Sequence, residues 1–222
     1  MPEIKYVCFD IGGVANVRMP LEEVLSRGQK YFSQDFSEEK LQQMMYPTVN
    51  GRDIWREFQN GNVTSEQYIG AAFKSVNIPA TIENRIFFYR LLQEWCGVPY
   101  QPVLDLVDAL KKNGYHTSVL SNNNEIMYNT PSAEAMKKRV DTAISSHEIG
   151  VSKPHWDAFC VLLGRIKAEA PEQVLFVDDR EKNIEAANKY GLRGFHFRSK
   201  EKGMDKALGD FVQYLKGKGV RI

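Results

Sequence analysis

Tyr6-Val7-Cys8-Phe9-Asp10-Ile11-Gly12-Gly13-Val14 is the stretch on which the reading of this chain turns. The four residues from Tyr6 to Phe9 form an apolar run of strand length, the carboxylate of Asp10 ends it, and two glycines open a tight turn. Strand-like runs recur at 117–120, 142–144, 174–177 and 194–197. Helical patterns alternate with them at 102–113, 154–166 and 181–190, the first and last stopping at Gly114 and Gly191. Such alternation predicts an α/β core, a doubly wound parallel sheet with helices on both faces.

Between the first strand and residue 102 the pattern changes to helix after helix. Amphipathic segments fall at 21–32, 37–46, 52–59, 65–76 and 82–94. Thr64, followed three residues later by Gln67, reads as a capping box for the fourth of them. The expected organisation is therefore a core of residues 1–16 and 99–222, interrupted by an all-helical domain at 17–98. Trp55, Phe58, Tyr68, Phe73, Phe87 and Phe88 are expected to form the inserted domain's own core.

Composition narrows the function. With 29 basic and 28 acidic residues in 222, the chain has no global field to attract nucleic acid or anionic lipid, so a bound phosphate must be held locally. No run approaches the roughly 18 apolar residues of a membrane span, and no leader pattern opens the chain. A cytoplasmic protein, monomer or homodimer, with no nucleic-acid or membrane partner is expected. Cys8, Cys96 and Cys160 are odd in number and far apart, which predicts reduced thiols. The four histidines neither cluster nor repeat at metal-ligand spacing.

In an open parallel sheet, ligands bind beyond the carboxyl ends of the strands. Asp10-Ile11-Gly12-Gly13 follows the first strand, Ser121-Asn122-Asn123-Asn124 the second and Asp178-Asp179 the fourth, while Gly150 to Pro154, with Lys153, follows the third after a short loop. Two ionised carboxylates in one crevice, Asp10 and Asp178, repel unless one is protonated or a cation lies between them. Hard oxygen donors without His or Cys favour Mg²⁺. Lys153 supplies a point charge for a phosphoryl group, and the Ser121 hydroxyl and the N–H groups of Gly12 and Gly13 can donate to its oxygens.

These segments, "VCFDIGGV", "SVLSNNN", "EIGVSKPHWDAF" and "VLFVDDREKNIEAANKYG", resemble in order the four signature segments of the haloacid dehalogenase superfamily. The similarity is to its phosphatase-like branch, a Rossmann-like core with a helical cap inserted after the first strand. The resemblance implies that Asp10 is a nucleophile forming an aspartyl-phosphate, with Ser121 bonding and Lys153 offsetting the phosphoryl group. It implies Mg²⁺ held by Asp10, Asp178 and the Gly12 carbonyl, with Asp179 in or beside that shell. Gly13, Asn122, Arg18 and Arg52 are the candidate substrate-binding residues, Asn122 being expected to orient the substrate or a loop, and Asn183 is expected to support the acidic loop. Members that displace halide from carbon lack the acidic pair, which disfavours dehalogenation.

Gly12 departs from the family pattern, which usually has there an Asp that protonates the leaving alcohol. The implied function is a Mg²⁺-dependent phosphatase of a small phosphorylated metabolite, sugar phosphates included. Three consequences of Gly12 stay open: leaving groups that need little protonation, an acid taken from the cap or the following loop, where Arg18, Glu22, Glu23, Arg52 and Asp53 are within reach, or a weakly active or non-catalytic protein that binds phosphate or a partner.

Overall fold

A computed structural model of the chain describes residues 3–33 and 35–222, so the first two residues of the expected core lie outside it. In chain order, β1 (Tyr6–Phe9) and β2 (Asn16–Val17) lead into α1 (Leu21–Tyr31), α2 (Glu38–Met45), β3 (Thr48–Val49), β4 (Arg52–Asp53), α3 (Ile54–Gln59), α4 (Ser65–Ser75) and α5 (Ile82–Trp95). Then come β5 (Val98–Pro99), α6 (Gln101–Lys112), β6 (His116–Ser121), α7 (Glu125–Tyr128), α8 (Pro131–Lys137), β7 (Thr142–Ser145), α9 (Ser146–Ile149) and α10 (Trp156–Ile166). After a 3₁₀ turn, β8 (Val174–Asp178), α11 (Glu181–Lys189), β9 (Arg193–His196), α12 (Ser199–Lys202) and α13 (Met204–Gly217) complete the chain.

The main sheet runs β7-β6-β1-β8-β9 with every pairing parallel. The central strands β1 and β8 are buried on both faces, which explains their near-continuous apolar runs, whereas the edge strand β9 is half-buried. Side chains of a strand alternate between faces. Val7, Phe9, Leu175 and Val177 accordingly pack with α6, α8 and α13, whereas Cys8, Val174 and Phe176 pack with α10 and α11 on the opposite side.

Strand order reverses beside β1: the chain moves outward through β6 and β7, then returns to β8 on the other side. The crevice at such a switch point is where ligands bind. Register does the rest. Phe9 lies level with Val119 and Val177, and the Asp10 N–H donates to the Val177 carbonyl at 2.8 Å, so Asp10, Ser121 and Asp178 all reach the same edge.

The segment from α1 to α5 builds a second apolar core, in which Phe58, Tyr68, Phe73 and Phe88 are buried and Trp55 and Phe87 half-buried. Ile126 and Met127 of α7 join that core from the α/β side. The β2–β5 ladder pairs Val17 with Val98, bringing the segment's two connections together. Thr64 and Gln67 do form the reciprocal cap of α4, with bonds of 2.8 and 3.2 Å.

One expected helix starts elsewhere. Instead of beginning at residue 52, the chain makes a two-residue turn at Asn50-Gly51, both at positive φ, and pairs Val49 with Arg52. Asn-Gly suits such a turn because both positions must be left-handed. The helix begins at Ile54, its N-terminus capped by Asp53, whose carboxylate accepts the Arg56 N–H at 3.0 Å. Among the described residues, no helix is long and apolar enough to cross a membrane.

Candidate active site

Asp10 and Asp178, buried at the ends of β1 and β8, face the same ammonium group. The Nζ of Lys153 lies 2.6 Å from Asp178 Oδ2 and 3.3 Å from Asp10 Oδ1, and donates to the Leu120 carbonyl at 2.5 Å. The Lys153 side chain is fully buried. Its backbone is held by Asn122: the Lys153 N–H donates to Asn122 Oδ1 at 2.8 Å, and Asn122 Nδ2 donates to the Lys153 carbonyl at 2.7 Å. Asn122 borders the cavity, but both ends of its amide position the lysine loop rather than wait for substrate.

Each carboxylate has further donors. The Ile11 N–H donates to Asp10 Oδ1 at 2.8 Å. The Arg180 N–H donates to Asp178 Oδ1 at 2.9 Å, and Asn183 Nδ2 bonds both oxygens of Asp178 at 3.0 Å. Asn183 thus holds the acidic loop in place.

Burial and charge pull the two acids apart. Burial pushes Asp178 up to about 6, a rise that Lys153 offsets and the Asp10 charge reinforces. Burial also acts upward on Asp10, but Lys153, the Ser121 hydroxyl, the Ile11 N–H and the Arg180 charge bring it below the ordinary carboxylate value. Burial would strip the proton from Lys153, yet the charges of Asp10 and Asp178 raise its affinity for it.

Asp179 is buried beside them. Lys200 Nζ lies 3.0 Å from its Oδ2, while Oδ1 has no hydrogen-bond partner among the described residues. One oxygen from each of Asp10, Asp178 and Asp179 falls within 4.8 Å of the others. Three hard donors around one point, one of them holding an orphaned buried oxygen, fit a small divalent cation such as Mg²⁺. Gly13 is required beside them: its φ is +76°, and a Cβ there would stand 2.7 Å from Asp179 Oδ2.

A cavity of about 410 Å³ opens over this edge, bordered by Asp10, Gly12, Ser121 and Asn122 from the sheet side and by Trp55, Arg56 and Trp95 from the helical segment. Arg18 borders it as well, and its Nη2 takes the space that a Cβ on Gly12 would need. Gly12 is not left-handed, so the absence of a side chain leaves room for the guanidinium rather than relieving the backbone.

Two expected substrate contacts are not brought in. Arg52 is exposed and pairs with Glu57 at 3.1 Å, and it does not border the cavity, because the 50–51 turn takes it to the surface. The Gly13 N–H donates to Asn16 Oδ1 at 2.8 Å and is spent inside the loop. Conversely, Arg56, Trp95, Arg180 and Lys200 border the cavity without having been read as site residues. Arg180 directly follows Asp179 and could have been noticed; the others arrive through packing between elements.

A family model described as haloacid dehalogenase-like hydrolase matches residues 4–191. Acyl-CoA dehydrogenase family member 10 of Mus musculus is 22% identical over 144 residues, covering 62% of this chain but only 13% of that protein. An enzyme of this family from Bacteroides thetaiotaomicron, BT-2542, solved in complex with magnesium and inorganic phosphate, superposes with a TM-score of 0.69 at 20% identity, covering 87% of this chain and 93% of that one. The L-2-haloacid dehalogenase of Xanthobacter autotrophicus superposes with a TM-score of 0.59 at 16% identity, covering 87% and 77% respectively. At these identities the likeness is one of fold.

Proposed function

The chain belongs to the haloacid dehalogenase-like hydrolases, and we propose that within that family it is a Mg²⁺-dependent phosphatase of a small phosphorylated metabolite, sugar phosphates included. The observation that carries the reading is the approach of the Asp10, Asp178 and Asp179 oxygens to within 4.8 Å beside buried Lys153. Lys153 is shared between Asp10 and Asp178 and Lys200 pairs with Asp179, so two ammonium groups face three carboxylates, and an added divalent cation would supply the missing charge. Displacing halide from carbon by carboxylate attack needs no such cation, so the acidic trio favours phosphoryl transfer over dehalogenation. The magnesium and inorganic phosphate bound by the Bacteroides relative support the same choice.

In this reading a carboxylate oxygen of Asp10 attacks phosphorus, the bond from phosphorus to the leaving oxygen breaks, and an aspartyl-phosphate forms. Water then attacks that phosphorus, the bond to Asp10 breaks, and phosphate leaves with the carboxylate restored. Lys153 and the Ser121 hydroxyl offset charge on the transferring oxygens, while Asn122 and Asn183 hold Lys153 and Asp178 in position. Asp10, Asp178, Asp179 and the Gly12 carbonyl would hold Mg²⁺, which would supply positive charge to the phosphoryl group. The departing oxygen takes its proton from water, because residue 12 carries no acid. The helical segment 17–98 acts as the cap, and the protein works in the cytoplasm as a monomer or homodimer.

Phosphate release from a broad panel of phosphate monoesters, with and without Mg²⁺, tests the reading; a folded protein that releases none contradicts it. Gly12 favours one second reading, a weakly active or non-catalytic phosphate- or partner-binding protein. An inert wild type that gains turnover on Gly12→Asp would establish that alternative.

A further inference from the structure

The charges around the cavity exceed what a single phosphoryl group requires. With a divalent cation bound, the carboxylates of Asp10, Asp178 and Asp179 are balanced by that cation and Lys153. Beyond this balanced set the wall still carries Arg18, Arg56, Arg180, Lys182 and Lys200, against the single carboxylate of Asp53. Lys200 already pairs with Asp179, and Asp53 caps α3. Arg18, Arg56, Arg180 and Lys182 have no carboxylate within ion-pair distance among the described residues. A cation bordering a cavity and lacking a protein partner is placed to meet an anion.

Arg18 is the best placed of these. Its guanidinium lies over the Trp95 ring, 5.9 Å from the ring centre, and its Nη2 fills the space above Gly12. Gly12 is two residues from Asp10, so their Cα atoms are at most about 7 Å apart. The guanidinium therefore stands beside the nucleophile loop, within reach of whatever is attached to a phosphoryl group on Asp10. It cannot serve as the missing acid, because a guanidinium does not release its proton near neutral pH. It can bind a carboxylate or phosphate through paired N–H donors.

We infer that the substrate is a phosphate monoester whose organic part carries a second negative charge, a carboxylate or another phosphate, close to the phosphoryl group, and that Arg18 binds that charge. The inference rests on the phosphatase reading and narrows it to one substrate class. It also gives Gly12 a purpose, since any side chain there displaces the guanidinium.

The test is titration calorimetry on the Mg²⁺-loaded protein with two ligands that cannot be hydrolysed: phosphonoacetate and its carboxyl methyl ester, alike in shape but differing in the second charge. Wild type is expected to bind phosphonoacetate about tenfold or more tightly than the ester, as one charge-assisted pair supplies. Arg18→Met should bring the ratio of affinities to about one, Arg18→Lys should keep part of it, and Gly12→Ala should lower it by pushing the guanidinium aside. Equal binding of the two ligands by wild type, or a ratio unchanged in both Arg18→Met and Gly12→Ala, overturns the inference. Inorganic phosphate binding without either phosphonate overturns it while leaving the phosphatase reading standing. Failure of phosphate itself to bind removes both. Should Arg18→Met not fold, Gly12→Ala and the wild-type ratio still decide the matter.

Discussion

Lys153 and Asp178 form an ion pair of 2.6 Å with neither side chain exposed to solvent. Removing one partner from such a pair strands the other charge in a medium that solvates it poorly, a loss of about 3–5 kcal/mol. Lys153→Met is therefore expected to lower stability by that order in urea unfolding of the metal-free protein, and adding Asp178→Asn should recover part of the loss. Equal stability of Lys153→Met and wild type would show that the pair contributes nothing.

The same acids make metal binding depend on pH. Asp178 is raised from an ordinary 3.8 to about 6, so the metal-free fold prefers it protonated. That preference stabilises fully below the unfolded value and fades as pH rises through about 6. Mg²⁺ needs the ionised form and competes with the proton. The rise in melting temperature on adding Mg²⁺ is expected to be small near pH 5 and larger near pH 7.5. An equal Mg²⁺ effect at both would contradict the assignment of Asp178 to the cation.

Gly12 leaves the departing oxygen without a proton donor. Wild-type rates should therefore fall steeply from aryl phosphates, whose leaving groups tolerate negative charge, to alkyl phosphates. Gly12→Asp places a carboxyl group two residues from Asp10, and the Cβ that it adds meets only the far end of the Arg18 side chain. It should raise alkyl turnover relative to aryl by about tenfold or more, the lower range of general-acid assistance being near a hundredfold. An unchanged ratio in steady-state kinetics would mean that protonation does not limit this enzyme.

Gly13 is confined by both its backbone and Asp179. Its φ of +76° disfavours a side chain, and a Cβ would crowd Asp179 Oδ2. Gly13→Ala is expected to cost about 1–2 kcal/mol in thermal unfolding and to weaken Mg²⁺ binding, read by calorimetry. Retention of both would show that the loop yields easily.

Much of the α/β core was legible because its central strands β1 and β8 are buried on both faces and read as apolar runs. The approach of Asp10, Ser121 and Asp178 was legible for a related reason: parallel register carries residues that follow equivalent strand positions to one edge. Arg52 was misread because the amphipathic pattern of 52–59 outweighed the Asn50-Gly51 turn in front of it. Arg18 over Gly12 and Lys200 beside Asp179 could not be read, since each depends on how separate elements pack rather than on local spacing. Asn122 shows the remaining gap: its position at the end of β6 was visible, but not that its amide is spent on the Lys153 backbone.

The central claim is that Asp10 performs phosphoryl transfer. Its most direct measurement is Mg²⁺-dependent phosphate release by wild type and by Asp10→Asn, with folding of the variant verified by its melting transition. The account predicts turnover by wild type and none above background by the folded variant. Wild-type rates in Asp10→Asn would contradict it.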